Sequence, residues 1–457
     1  MTTATPPAPG GPAADSPDSP GARADAAVAG VLHDLDTTAQ RGIVVDSPPG
    51  AGKSTLVVRA AGHLADHNRP VMIVAQTNEQ VDDLVTRLAT DRPDLGIGRL
   101  HAAGYGAPRR IYDLTNVTLS TDITHLRDLP VVIATAAKWA YVKDAAWDWA
   151  IVDEAYQMRS DALLRTSKLF EHALFVGDPG QLDPFATIET DRWAGLTWDP
   201  LRNAVDVALA HNPGMPLHQL PISWRLPASA APLVEQAFYP FYPFTPGTRE
   251  GDRILTLATA GLGNTHVDQV LDKAAATGWG YLELPHRHTL RTDRELAAAL
   301  AATANRLLQR GATTYSSGER ADLTASRIAI GAAHNDQVAA VRDHLDRHGP
   351  HLADITVDTA NRLQGREFDV TLVWHPLSGR ADASAFHLET GRLCVLLSRH
   401  RHACIVIGRT GIRDLLDRHP STQPLYLDVA PKFPDGWRAH QTVLEHLGWG
   451  QHQVHGR

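Results

Sequence analysis

The sequence predicts an α/β protein built from two parallel sheets, each flanked by helices. Three observations predict it: short all-apolar runs recur along 457 residues, helix-patterned stretches alternate with them, and proline-rich segments divide the series in two. A run that is apolar at every position suits a strand buried on both faces, as in a parallel sheet covered by helices. Alternation of such runs with amphipathic stretches is βαβ winding.

Residues 1–25 hold Pro, Ala, Gly, Ser and Asp without an apolar stretch, and are expected to be a disordered tail. The first series follows at Ile43–Val45, Val71–Val74, Val131–Ile133, Ala150–Val152 and Ala173–Val176. Between the second and third of these, Val81, Leu84, Val85 and Leu88 recur at helical spacing and make one apolar face. Residues 82–129 read as a small insertion. The proline-rich stretch Pro213–Pro221 marks the boundary, giving a first lobe at 26–215 and a second at 216–430. The second series, after a further interruption at Pro232–Pro246, runs through Tyr281–Leu284, a long Ala/Leu helix near Asp293–Gln309, then Ile328–Ile330, Ile355–Val357, Val370–Val373 and Cys404–Ile407. Residues 431–457 read as an extension with a short helix.

A formal net charge of -8 and a pI near 6.3 exclude a protein that coats nucleic acid through global positive charge, and leave room for one basic groove. Lysine stands only at positions 53, 138, 143, 168, 273 and 432, so nearly all positive charge is arginine. The two cysteines, Cys394 and Cys404, make no disulfide framework of the secreted kind. With no membrane-spanning run either, a cytoplasmic protein without a membrane partner is expected.

The strand at Ile43–Val45 runs into Ser47-Pro-Pro-Gly-Ala-Gly-Lys-Ser-Thr55 and then an apolar helix. The loop from Pro49 through Gly50, Ala51, Gly52 to Thr55 cradles phosphates with its backbone N–H groups, those of all but the proline, Lys53 neutralises the β and γ groups, and the Ser54 hydroxyl can hold Mg²⁺. Ser47 stands where glycine is usual. The alternative is a Gly/Pro turn with a surface lysine. Further on, Ala150–Val152 ends in Asp153-Glu154-Ala155-Tyr156-Gln157. Carboxylates at the C-terminal end of a parallel strand face the same crevice as the loop. Asp153 would hold Mg²⁺ and Glu154 would orient and deprotonate the attacking water; either could instead cap a helix.

The set SPPGAGKS, VAQTN, DEAYQ and GDPGQLDP resembles motifs I, Ia, II and III of superfamily 1 helicases, AAA-type P-loop ATPases, in the branch of the nonsense-mediated-decay RNA helicase. Ser223-Trp224-Arg225-Leu226 resembles that family's Tyr-Arg-Met segment, Ile328–Val338 its motif IV, Val357–Val370 its motif V, and Gly391–Arg401 its motif VI. The islands span roughly Ile43 to Gly408. The resemblance implies two RecA-like P-loop NTPase lobes with ATP between them. It implies that Gln181 senses the γ-phosphate, that Arg225 and Arg399 reach that phosphate, and that Gln364, Gly365 and Glu367 link the nucleic-acid backbone to the nucleotide. Thr77, Asn78 and Thr135 would touch a single strand of DNA or RNA, with 5′ to 3′ polarity. Each of these residues has a plainer reading, as a strand-end cap or a surface ion pair.

Departures from the pattern are Arg23 and Ala24 where an adenine-reading Gln is expected, Cys394 and His400 in motif VI, and Asp183 in motif III. The short stretch before Ser47 is expected to hold no accessory barrel. Cys394, His400, His402 and Cys404 are metal-ligand types without a standard zinc spacing. Trp139, Trp147 and Trp149 could stack bases or pack beside the motif II strand. The reading is an ATP-dependent helicase or translocase on single-stranded nucleic acid. Its rivals are a strand-stimulated ATPase that remodels without separating strands, and a nucleotide-dependent switch. Cutting or recruitment would come from a separate nuclease or recruiting protein.

Overall fold

The computed structural model describes residues 16–184, 193, 196, 199, 202–258, 265–289, 292–419 and 434–448. The chain divides into two compact units, one from Ala24 to Pro221 and one holding the residues from Ile222 onward together with those up to Arg23.

The first unit has eight strands: β1 (Gly42–Asp46), β2 (Val71–Ala75), β3 (Ile97–Leu100), β4 (Val117–Ser120), β5 (Val131–Thr135), β6 (Trp147–Asp153), β7 (Phe170–Gly177) and β8 (Leu217–Gln219). They form one sheet in the order β4-β3-β5-β2-β6-β7-β1-β8, with every pairing parallel. Because side chains alternate along a strand, Ile43 and Val45 enter one core and Val44 the other. Helices Lys53–Asp66 and Asn78–Asp91 supply Leu56, Val57, Val81 and Val85 to the first core, while Trp139, Met158 and Val205 fill the second.

Three differences from the sequence reading have physical causes. Residues 82–129, expected as a small insertion, carry the end of helix Asn78–Asp91 and two strands of the main sheet, β3 and β4. The boundary falls after Pro221 rather than at 215, because β8 satisfies its backbone against β1, with Val44 opposite Leu217. The helix Pro20–Thr37 begins inside the expected tail, burying Val31 and Leu35 against the first core; residues 1–15 lie outside the described residues.

The second unit contains β9 (Ile222–Ser223), β10 (Thr245–Pro246), β11 (Arg253–Thr256), β12 (Trp279–Leu284), β13 (Thr313–Ser316), β14 (Glu319–Asp322), β15 (Ile328–Ala332), β16 (Thr356–Thr359), β17 (Phe368–Trp374) and β18 (His400–Arg409). Five of these make an all-parallel sheet in the order β12-β18-β17-β15-β16. Helix Arg294–Gln309 places Leu296, Leu300, Ala304 and Leu307 against Ile330, Val370 and Leu372 of that sheet. A small antiparallel sheet, β11-β13-β14, is an addition that the sequence reading lacks. The short terminal helix expected after residue 431 occupies Gly436–Leu447 and buries Leu444 with Leu388, Ile412 and Leu416.

Among the described residues, no helix is long and apolar enough to cross a membrane.

Candidate functional site

Strand order sets the site of the first unit. In a parallel sheet the C-terminal strand ends share one edge, and the order β6-β7-β1 makes the ends at Asp153, Gly177 and Asp46 neighbours. The Ser47 N–H donates to the Gly177 carbonyl at 2.9 Å, which fixes the start of the loop to β7. The loop turns through Gly50 (φ 73°) and Gly52 (φ 91°), conformations open to glycine and strained for other residues. Helix Lys53–Asp66 starts there with no side-chain cap on its first amides. Amides so placed, at the positive end of the helix dipole, suit an anion.

Lys53 Nζ lies 3.0 Å from Glu154 Oε1, both side chains being largely buried. Glu154 sits in the left-handed region at φ 49° and ψ 47°, an uncommon state for a residue with a Cβ, and one that clusters at functional sites. Close packing enforces the turn. A Cβ on Gly177 would meet the Tyr156 ring at 2.8 Å and the Ala155 nitrogen at 3.1 Å, and the Tyr156 hydroxyl donates to Asp46 Oδ1 at 2.6 Å. Asp153 is 5% exposed; the Gln76 side chain donates to its carbonyl at 3.4 Å, and among the described residues its Oδ1 has no hydrogen-bond partner. A buried carboxylate oxygen of this kind has the chemistry of a Mg²⁺ position.

Burial pushes the Asp153 carboxyl above the ordinary range and the Glu154 charge pushes it further, against the opposing pull of Lys53. A carboxyl raised on folding stabilises the protein below its unfolded value, and that contribution is lost as pH rises through the folded value. Asp153→Asn should therefore gain on wild type as pH goes from 5 to 8 without divalent metal, by about 2–4 °C in melting midpoint. Saturating Mg²⁺ should shrink the gap. A difference that stays flat across this pH range would refute the assignment.

Gln181 is buried 2% exposed at the end of β7. Its amide donates to Asp178 Oδ2, and Asp178 Oδ1 accepts the Gly180 N–H at 2.9 Å, so the Asp-Pro-Gly turn orients the glutamine. Its Oε1 has no partner among the described residues. Asp178, Tyr156 and Gln76 were not singled out in the sequence. Only Asp178 carried a signal, as an aspartate opening a Pro-Gly turn.

In the second unit, β17 and β18 pair with Phe368 opposite His400, which makes Glu367 and Arg399 neighbours. Arg225 joins them, its Nη2 lying 2.9 Å from Glu367 Oε1 and its Nη1 donating to the Ser398 carbonyl at 3.3 Å. Arg399 is 1% exposed and donates to the Val395 carbonyl and to Ser398 Oγ. Burial pushes the Glu367 carboxyl up, but Arg225, with Arg401 and Arg399, more than offsets this and holds it below its ordinary value. The structure thus brings Arg225, Glu367 and Arg399 into one cluster. Gln364 lies apart, after β16, with its side-chain amide nitrogen buried and without a partner among the described residues.

Thr77 lies just past β2 and Thr135 ends the neighbouring β5, and both serve as helix caps, accepting the N–H groups of Gln80 and Lys138 at 3.2 Å. Asn78 accepts from Arg99 at 2.9 Å. Gln337 of motif IV completes a capping box with His334. The three tryptophans pack: Trp139 meets Trp147 edge-on at 5.2 Å, and Trp149 stacks on His172. The histidines and cysteines around motif VI have other surroundings. His400 is buried against Trp279 and held down to about 3 by burial, His402 contacts Asp369 at 3.2 Å, and burial pushes the Cys404 thiol up to about 12. Among the described residues, the one grouping of three ligand-type side chains lies elsewhere, at Asp36, His63 and His67.

Two family models described as AAA domains match the chain, one over residues 29–190 and one over 286–411. It is similar to the DNA replication ATP-dependent helicase/nuclease dna2 of Schizosaccharomyces pombe, 22% identical over 79% of this chain and 26% of that protein. The DNA replication ATP-dependent helicase/nuclease JHS1 of Arabidopsis thaliana is 21% identical over the same shares. The chain thus spans about a quarter of the length of these curated relatives. Among solved structures, the Arterivirus nonstructural protein 10 helicase aligns with a TM-score of 0.44 and 13% identity, covering 84% of this chain and 61% of its own. The complex of that helicase with DNA gives 0.42 and 14%, covering 86% and 65%.

Proposed function

We propose that this chain is a superfamily 1 P-loop helicase that hydrolyses ATP to move along single-stranded nucleic acid and to separate strands ahead of it. One observation carries the reading: Lys53 and Glu154 lie 3.0 Å apart at a glycine loop, next to buried Asp153, whose Oδ1 has no hydrogen-bond partner among the described residues. A phosphate cradle, a cation position and a general base are what phosphoryl transfer to water requires.

The residues divide the work. The amides of Pro49 to Thr55 other than proline, with Lys53, bind and orient the phosphates. Phosphate drawing Lys53 away from Glu154 releases that carboxylate to take a proton from water. Ser54 and Asp153 would hold Mg²⁺, which neutralises phosphate charge when bound. Gln181, oriented by Asp178, reports the γ-phosphate, and Arg225 and Arg399 stabilise charge on the transferring group, with Glu367 steering Arg225. Thr77, Asn78, Thr135 and Gln364 are the proposed strand contacts. The similarity to DNA replication helicase/nucleases favours DNA as that strand. A nuclease or recruiting protein is a proposed partner.

Turnover measured with and without oligonucleotides, alongside unwinding of forked DNA and RNA duplexes, tests the proposal. ATP hydrolysis should rise at least about tenfold with single strands, and forks should open. Stimulation without fork opening would favour a remodelling ATPase. Turnover indifferent to nucleic acid would overturn the motor reading.

A further inference from the structure

At the end of the P-loop helix remote from the phosphates, a second set of ligand-type side chains converges. Asp36 comes from the last turn of helix Pro20–Thr37, and His63 from the last turn of helix Lys53–Asp66, which His67 caps. His63 Nε2 lies 2.9 Å from Asp36 Oδ2, the two histidine rings have centroids 4.5 Å apart, and the ligand atoms of all three residues lie within 4.8 Å of one another. We propose that Asp36, His63 and His67 form a binding site for a divalent transition metal of the zinc type, which clamps helix Pro20–Thr37 to the P-loop helix.

Four features argue for a site rather than a chance meeting. Two histidines four residues apart project from one helix face, a spacing that lets both rings reach one ion. His67 Nδ1 lies 2.7 Å from the His63 carbonyl, so it carries the proton in that bond and leaves Nε2 with a lone pair. Metal-ligating histidines are oriented in this way by a carbonyl on the second nitrogen. Arg69 binds Asp36 Oδ1 at 3.3 Å and the Leu35 carbonyl at 3.0 Å, which holds the other oxygen, Oδ2, toward His63. Finally, two helices end here together, and the negative ends of their dipoles favour a cation, offsetting the nearby Arg69 charge.

The donor set selects the ion. Two imidazoles and one carboxylate suit zinc and its neighbours and are a poor match for Mg²⁺ or Ca²⁺, which take oxygen ligands. Ligand atoms around tetrahedral zinc stand about 3.3 Å apart, so His63 and Asp36 must open by a few tenths of an ångström and His67 must close. A fourth position faces solvent, Asp36 being 37% exposed at its side chain. Ten residues of helix put the site about 15 Å from Lys53, so its role is to brace the helix and not to hydrolyse ATP.

The full chain, free of histidine tags, is dialysed against Zn²⁺, and its metal content and melting midpoint are measured beside those of His67→Ala, Asp36→Asn and the double variant His63→Ala/His67→Ala. Wild type should retain one more zinc per chain than each variant and gain at least about 2 °C on zinc addition, a gain absent from the variants. ATP turnover of His67→Ala should stay within about twofold of wild type, confirming its fold. Equal zinc content in wild type and the double variant, or no retained zinc at about 10 µM free metal, overturns the site.

Discussion

Arg399→Ala should lower strand-stimulated ATP turnover roughly 10³- to 10⁵-fold, about 4 to 7 kcal/mol of transition-state stabilisation. A permanently charged, planar guanidinium is suited to charge that develops on the transferring phosphoryl group. A structural role is the competing account, since Arg399 is 1% exposed and bonded to the Val395 carbonyl and Ser398 Oγ. Leaving such acceptors unmet costs about 1–3 kcal/mol of stability, which a melting curve reads, while catalysis of the folded fraction is untouched. Arg399→Lys separates the two further. It retains charge and much of the packing but loses the fork, and turnover should stay low. Strand binding without nucleotide should change by less than about twofold, because the grip on an unliganded strand rests on other groups. A folded Arg399→Ala protein that keeps more than about half of its stimulated turnover would refute the role, and Arg225 would lose its support with it.

Lys53→Ala should cut turnover by at least about 10² to 10³, and it should do so by a different route. The lysine serves phosphate charge in the ground state as well as in the transition state, so nucleotide affinity should fall too, whereas Arg399→Ala leaves it largely intact. Removing Lys53 also strips Glu154 of its 3.0 Å counter-ion beside Asp153, leaving two crowded carboxylates. Fluorescent-nucleotide titration alongside steady-state turnover distinguishes these effects. Undiminished turnover in a folded Lys53→Ala protein would remove the phosphate-loop assignment altogether.

The strands that carry these residues were legible because they are buried on both faces and therefore apolar throughout, as at Ile43–Val45 and Ala150–Val152. The turns after them were legible because phosphate chemistry demands glycine, lysine and carboxylate at fixed offsets. Strands β3 and β4 escaped notice for the opposite reason. In β3 a fully buried arginine, Arg99, interrupts the apolar run, and its pairing with Asp82 at 3.1 Å, with Asn78 and with the Leu100 carbonyl makes that burial tolerable. No local pattern announces a partner seventeen residues away. Strand β14 is exposed at all four positions and so has no apolar signature. The αL turn at Glu154 is equally silent, since it sits beside a close packing of the Tyr156 ring against Gly177, between segments distant in the chain.

The last strand of the first unit bears on how the phosphate loop comes to be rigid. Strand β8 is the final piece of that unit to leave the ribosome, yet it flanks β1, where the nucleotide loop begins. Until Leu217–Gln219 docks, β1 is a frayed border with a row of bare amides and carbonyls, open to pairing with any passing strand. The closure joins segments at opposite ends of the unit, so the entropy of a very long loop is spent before the contact gives anything back. A nascent or truncated chain ending at residue 215 would hold the whole phosphate loop with Lys53, Asp153 and Glu154 and still present them on an unhemmed, aggregation-prone margin.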